Sequence, residues 1–330
     1  MTAPLATVGI LSIGSMGLGI AKLLVAHNYR VLTNVSNRSP ATRARAESAY
    51  LDLVDTDADL VAHCDYILSI VPPRDAVATA SRIIDALNIT PSLRAHSATP
   101  LYFLDLNAIS PKTVSSIAKA FSQRTPNVRF IDGGIIGGPP SQSGADAAWI
   151  KPGIPLSGPH PLNKAIPSGA HLTETLNTRY LDDKIGSASG LKCCFASMAK
   201  GMIALSLQAF STAESLGVLP HLQSYLKVYN VKGGELAERG IVGCPPKAYR
   251  WVDEMRQIGE CFEVDGGWPE QARVFREIAG VYEELAKVVE TRGGTEGMGD
   301  VHGAIAAIGD GLKEGKKEKP TVEELEQDDR

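Results

Sequence analysis

The segment from Thr7 to His27 constrains this chain most. Thr7–Ile13 is a short apolar run of strand length, and Leu18, Ala21, Leu24 and Val25 then recur at helical spacing. Between them lies Gly14-Ser15-Met16-Gly17. A strand that turns into a helix on two such glycines opens a βαβ unit: Gly14 lets the backbone approach a phosphate, and Gly17 lets the helix pack close to the strand. The first helical turn then offers unpaired N–H groups and the positive end of the helix dipole. Ser12 stands where the first glycine of the full fingerprint belongs. An ordinary tight turn carries the same pair of glycines, so the weight comes from context: a second strand, Tyr29–Val35, ends about twenty residues further on. Ile13, Gly14, Ser15, Met16 and Gly17 are therefore the candidate contacts for a dinucleotide.

The alternation continues. Asp57–His63 and Ala76–Leu87 have helical spacing, and Tyr66–Val71 is a strand stopped by Pro72-Pro73. Leu101–Leu106, Pro111–Gln123 and Val128–Ile131 repeat strand, helix, strand. Asn88–Pro100 is polar and reads as a surface loop; Gly133–Pro167 is rich in Gly, Pro and Ser and holds a short strand at Ile154–Ser157. This order predicts a Rossmann domain, a doubly wound parallel sheet with helices on both faces. After Gly190 the pattern becomes wholly helical: Leu191–Leu219, Leu222–Arg239, Ala248–Phe262 and Trp268–Arg292. The expected division is an α/β domain over 1–186, an all-α domain over 187–312 entered through a long inter-domain helix, and a charged flexible tail over 313–330.

Bulk properties narrow the class of partner. With 44% hydrophobic and 21% charged residues, the 330-residue chain can bury a sizeable core. A formal net charge of -4 leaves no basic surplus for a nucleic acid. Cys64, Cys193, Cys194, Cys244 and Cys261 form no CxxC pair and read as reduced thiols of a cytoplasmic protein. No run reads as membrane-spanning, and His63, His160 and His171 lack metal-ligand spacing, so neither a membrane nor a metal is expected.

The second strand ends at Asn34–Ser36 with no Asp or Glu for a ribose 2′-hydroxyl, and Asn37, Arg38 and Ser39 follow. A 2′-phosphate needs a guanidinium and small donors and is repelled by a carboxylate. A solvated loop arginine would look the same in isolation; beside the missing acid, the pattern points to NADP(H).

Four stretches carry a resemblance to the β-hydroxyacid dehydrogenase superfamily, which includes 6-phosphogluconate and 3-hydroxyisobutyrate dehydrogenases. They are 12–17, 68–73, 105–111 with 130–138, and 186–192; the block 247–255 resembles the branch with a phosphogluconate-dehydrogenase-like C-terminal domain. The resemblance implies an active site in an inter-domain cleft and a homodimer formed through the helical domain. It implies that Val71 and Pro72 line the cofactor path, that Asn107 lies near nicotinamide and substrate, and that Gly137 and Gly138 present backbone N–H groups to a substrate carboxylate.

The resemblance also makes Lys192 the catalytic lysine. Hydride transfer to a carbonyl builds negative charge on oxygen, which a positioned ammonium stabilises and protonates. Burial among Leu191, Cys193 and Phe195 is expected to lower its pKa. The chain departs from the family pattern in three places. Phe195 and Ala196 replace two asparagines, Ala196 at the position that helps hold substrate, and Ile136 replaces a serine. Lys200, two turns on, is a candidate second pocket group, though a surface or interface lysine fits better. Arg250 and Glu254 are spaced for a plain salt bridge, and Trp251 suits a pocket wall or the core equally. The expected function is NADPH-dependent reduction of a carbonyl in a small carboxylate; imine reduction and a non-catalytic NADP-binding role are the alternatives.

Overall fold

The computed structural model describes residues 3–36, 38–89, 94, 99–144 and 147–317. The chain divides into two compact units, one of residues 1–195 with 260–268, the other of 196–259 with 269–330.

The first unit is built on an eight-stranded sheet. Its strands are β1 (Thr7–Leu11), β2 (Arg30–Asn34), β3 (Asp52–Val54), β4 (Tyr66–Ser69), β5 (Tyr102–Asp105), β6 (Arg129–Gly133), β7 (Ile154–Ser157) and β8 (Thr178–Tyr180), in the order β3-β2-β1-β4-β5-β6-β7-β8. All neighbours are parallel except β6 and β7. Helices α1 (Ser15–Ala26), α2 (Pro40–Glu47), α3 (Asp57–His63), α4 (Ala76–Ile89), α5 (Pro111–Arg124) and α6 (Gly169–Leu176) connect them. Successive strand side chains face opposite ways, so each strand feeds two cores. Val8, Ile10, Leu68 and Leu104 pack with Ile20 and Leu24 of α1 and Leu172 of α6. Leu11, Ile67 and Phe103 pack with Leu60, Ile83, Ile117 and Phe121 of α3, α4 and α5. This is the doubly wound sheet expected from the sequence.

The remaining helices are α7 (Ser187–Ser215), α8 (Leu219–Tyr229), α9 (Val231–Gly243), α10 (Ala248–Val264), α11 (Val274–Thr291) and α12 (Val301–Lys317). Most of α7 and α10 and all of the others make up the second unit, whose interior holds Leu207, Phe210, Met255, Ile258, Tyr282 and Leu285. By length and composition α7 could cross a bilayer, a property the sequence reading missed; here Ala204, Leu207, Phe210 and Ala213 are core residues of the helical unit.

Several boundaries differ from expectation for identifiable reasons. The helix expected over 222–239 breaks at Asn230, which leaves helical dihedrals and caps α9 by accepting the Gly233 N–H on Oδ1 at 3.1 Å. The expected helix from Trp268 begins only at Val274, after a tight turn at Gln271–Arg273. The tail expected from residue 313 is helical to Lys317, because Ala304, Ile305, Ala307 and Ile308 bury one face of α12; residues 318–330 lie outside the description. Of the surface loop expected over 88–100, Asn88 and Ile89 belong to α4. The first unit runs past the expected end at 186, since the start of α7 is bonded into the sheet and residues 260–268 join it through Glu260, which accepts from Ser110 and Lys112.

Candidate functional site

The parallel strands β1, β4, β5 and β6 place their carboxyl ends in one row, with Leu11 opposite Ser69, Ser69 opposite Asp105 and Asp105 opposite Asp132. Ligands of open α/β sheets bind beyond such an edge. The glycine turn follows Leu11, Val71-Pro72 follow Ser69, Asn107 follows Asp105, and Gly134-Ile135 follow β6.

The turn has the geometry of a dinucleotide-binding loop. Ser12 adopts φ +84°, the left-handed region that the fingerprint normally assigns to glycine. A Cβ on Gly17 would lie 2.0 Å from the Ser12 carbonyl oxygen, so only glycine allows α1 to pack this close to β1. The N-terminus of α1 is capped at Gly14 without a side-chain hydrogen bond, and its first turn holds no acid. Its N–H groups therefore face the edge uncapped by any side chain, as a pyrophosphate requires.

Beside the turn is a cleft of about 620 Å³. Ile13, Arg38, Val71 and Pro72, expected as cofactor contacts, all line it. The strand that forms its floor is fixed by the buried Thr33, whose hydroxyl donates to the Ile10 carbonyl at 2.8 Å. The donors near Arg38 are partly engaged. Ser39 caps α2, its Oγ accepting the Thr42 N–H at 3.3 Å, and Arg45 donates to Thr42 Oγ1 at 2.9 Å. Asn37 lies outside the described residues.

Asn107 is buried with both ends of its amide engaged. Its Oδ1 accepts the Val71 N–H at 2.8 Å and its Nδ2 donates to Ser69 Oγ at 3.0 Å. The side chain thus ties the ends of β4 and β5 together and shapes the cleft wall through Val71.

Lys192 is positioned by Asp132. This carboxylate accepts the Gly186 N–H at 2.8 Å, the Ser189 N–H at 3.3 Å and the Ser189 hydroxyl at 2.6 Å, and Ser157 Oγ donates to it at 2.9 Å. Ser157 Oγ in turn accepts the Ala188 N–H at 3.0 Å. The start of α7 is thus seated on a buried acid, where its dipole favours negative charge. Burial pushes the Asp132 carboxyl above its usual range, and its hydrogen bonds pull it back. One turn on, Lys192 Nζ donates to the Ile135 carbonyl at 2.6 Å. Its stem crosses Gly134, where a Cβ would come within 2.8 Å of Lys192 Cβ. Of the neighbours expected to bury it, Cys193 is buried, whereas Leu191 and Phe195 are exposed.

Gly137 and Gly138 are exposed at the mouth of a hairpin-like excursion, pinned by the Ile136–Gly153 and Ser141–Ile150 bridges, and Gly137 has φ +123°. Ala196 and Lys200 belong to the helical unit and are buried there. Lys200 is not a surface lysine: its ammonium pairs with Glu254 and lies 5.2 Å from the centre of the Trp251 ring. Among the described residues the expected Arg250–Glu254 bridge is absent, Glu254 being taken by Lys200, and Arg250 Nε is buried without a hydrogen-bond partner. Trp251 is a core residue, edge-on to Tyr282 at 5.2 Å. Sequence reasoning missed Asp132, Ser157 and Ser189; Asp132 and Ser189 sit inside motif stretches, but their joint role needs three segments distant in sequence.

The chain is similar to known proteins in sequence and in fold. Residues 7–150 match the NAD binding domain of 6-phosphogluconate dehydrogenase, and residues 213–285 match a domain of unknown function (DUF1932). No curated protein matches the chain. Among solved structures, a conserved hypothetical protein from Sinorhizobium meliloti is 21% identical, with 93% of this chain and 97% of that one covered at TM-score 0.59. A 3-hydroxyisobutyrate dehydrogenase from Salmonella typhimurium is 14% identical, covering 91% and 99% at TM-score 0.60. An imine reductase from Myxococcus stipitatus in complex with NADP+ is 16% identical, covering 92% and 99% at TM-score 0.53.

Proposed function

We propose that this chain, whose residues 7–150 match the NAD binding domain of 6-phosphogluconate dehydrogenase, reduces the carbonyl of a small carboxylate with NADPH. The observation that carries this reading is the placement of Lys192, held on Ile135 at the same sheet edge as the glycine turn. When bound, the dihydronicotinamide supplies the hydride. Lys192 then stabilises the developing oxyanion and donates the proton to it. Asp132, Ser157 and Ser189 fix the helix turn from which Lys192 projects, and the Gly137 and Gly138 N–H groups hold the substrate carboxylate. Arg38 and the acid-free end of β2 support NADPH over NADH.

Imine reduction is the second reading. The apolar Ile136 and Ala196, at positions where the resembled family carries polar residues, favour it. The chain also works as a homodimer in this proposal. On α7, Leu191, Phe195, Met198, Met202 and Leu205 are all exposed, and they recur at alternating spacings of four and three. That is the a/d seam of a coiled-coil contact.

The test is a panel of keto acids and cyclic imines, followed by NADPH absorbance beside NADH. Keto-acid turnover is expected, and Lys192→Ala should lower kcat by about 100-fold or more with NADPH affinity retained. Unchanged turnover in that variant overturns the mechanism. Turnover of imines alone selects the second reading, and tight NADPH binding without any turnover selects a non-catalytic role.

A further inference from the structure

Asp57 is one of three acids that line the cofactor cleft, and it is covered. Asp57, the first residue of α3, lines the cleft together with Asn34, Ser36, Arg38, Thr42 and Arg82. Arg82, from α4, places Nε 2.9 Å from one Asp57 oxygen, and its terminal nitrogen 2.9 and 2.8 Å from the two oxygens. Asn34, at the end of β2, adds an Nδ2–H bond to Asp57 Oδ1 at 2.9 Å. The other end of the same amide is taken as well, since Asn34 Oδ1 accepts the Ser36 N–H at 3.1 Å and the Ser36 hydroxyl at 2.7 Å. The Asp57 side chain is mostly buried, whereas Arg82 is about half exposed. The other acids of the cleft are Asp55 and Asp75, and Asp75 has Arg74 at 4.0 Å.

A bare carboxylate at this place would accept a ribose 2′-hydroxyl and repel a 2′-phosphate. A carboxylate whose two oxygens are already held by a guanidinium fork does neither. We infer that Arg82 sets coenzyme choice by masking Asp57. With Arg82 present, the charge beside Arg38 and Ser36 is cancelled, and the 2′-phosphate of NADPH is admitted. With Arg82 removed, Asp57 becomes the ribose-binding acid that β2 itself lacks. The inference rests on the reading of this cleft as an NADPH site. It adds a residue whose effect on the nucleotide is exerted through the neighbouring acid.

The experiment measures dissociation constants of NADPH and NADH by nicotinamide fluorescence on the full chain, for wild type, R82A, D57N and the R82A/D57N pair. An unmasked charge close to a phosphate at a protein surface is worth about a tenfold change in affinity or more per unit charge. R82A should therefore lower the preference for NADPH over NADH by about tenfold or more, chiefly through weaker NADPH binding. D57N alone, which frees the Arg82 guanidinium, should raise the preference for NADPH, and the double variant should return it to about the wild-type value. A preference that survives in R82A overturns the proposal alone. So does an equal loss for both nucleotides, or a double variant that fails to recover. A wild-type chain that binds NADH as tightly as NADPH overturns the NADPH reading, and the proposal with it.

Discussion

Asp105 and Asp132 are register partners at the carboxyl ends of β5 and β6, both buried, and their surroundings treat them differently. Asp132 is held by two serine hydroxyls and two backbone N–H groups. Asp105 accepts the Asn107 N–H at 3.0 Å, and its Oδ2 has no partner among the described residues. Burial, with Asp132 beside it, therefore pushes the Asp105 carboxyl up to about 7, against the bond from Asn107. Near neutral pH the Asp105 carboxyl therefore still carries a proton part of the time.

That arrangement makes stability depend on pH. A carboxyl that ionises near 3.8 unfolded and about 7 folded binds its proton more tightly in the native state. Its contribution is complete below the unfolded value and is lost as pH rises through about 7. Between pH 5 and 8 the wild type should lose on the order of 2 kcal/mol relative to Asp105→Asn. Urea midpoints of the two proteins at both pH values measure this, and parallel curves would remove Asp105 from the account.

The approach of Lys192 to Gly134 gives a second prediction. Gly134→Ala puts a methyl 2.8 Å from Lys192 Cβ, on a helix turn that Asp132 holds in place. The lysine must move or the clamp must yield. A displacement of this kind should lower kcat on the order of 10- to 100-fold while NADPH affinity stays near wild type. Equal losses in both quantities would indicate a general distortion of the sheet edge instead.

The apolar seam of α7 yields the third. Met202 and Leu205 are both more than half exposed on the chain alone. Replacing the pair by glutamate should convert a dimer to a monomer, since like charges would face each other across a two-fold contact. Light scattering at matched concentration reads the mass; a wild-type monomer, or a variant that stays dimeric, counts against the seam.

Much of the α/β unit is legible in the sequence because its signals are local. The strand at Thr7 and the helix Asp57–His63 follow from periodicity, whereas the strand expected to run to Pro72-Pro73 already ends at Ser69. α2 and β3, missed in that reading, are short and polar; α2 depends on Ser39 as cap and Pro40 at its start, with few apolar residues to reveal a period. Arg250, Glu254 and Lys200 mark the opposite limit. One-turn spacing on α10 predicts a pair that a lysine from α7 displaces.

By itself, the sequence determined the glycine turn, the doubly wound sheet and the position of Lys192 in the chain, because these follow from spacing within single elements or from contiguous motifs. Only the tertiary structure decided that Ser12 takes the backbone conformation of the missing glycine, that Asp132 seats the helix turn bearing Lys192, and that Arg82 covers Asp57. Each of these joins segments whose separation in sequence carries no periodic signal, or depends on a backbone angle that the residue type disfavours. They exist because the sheet brings the carboxyl ends of β1, β4, β5 and β6 into one row.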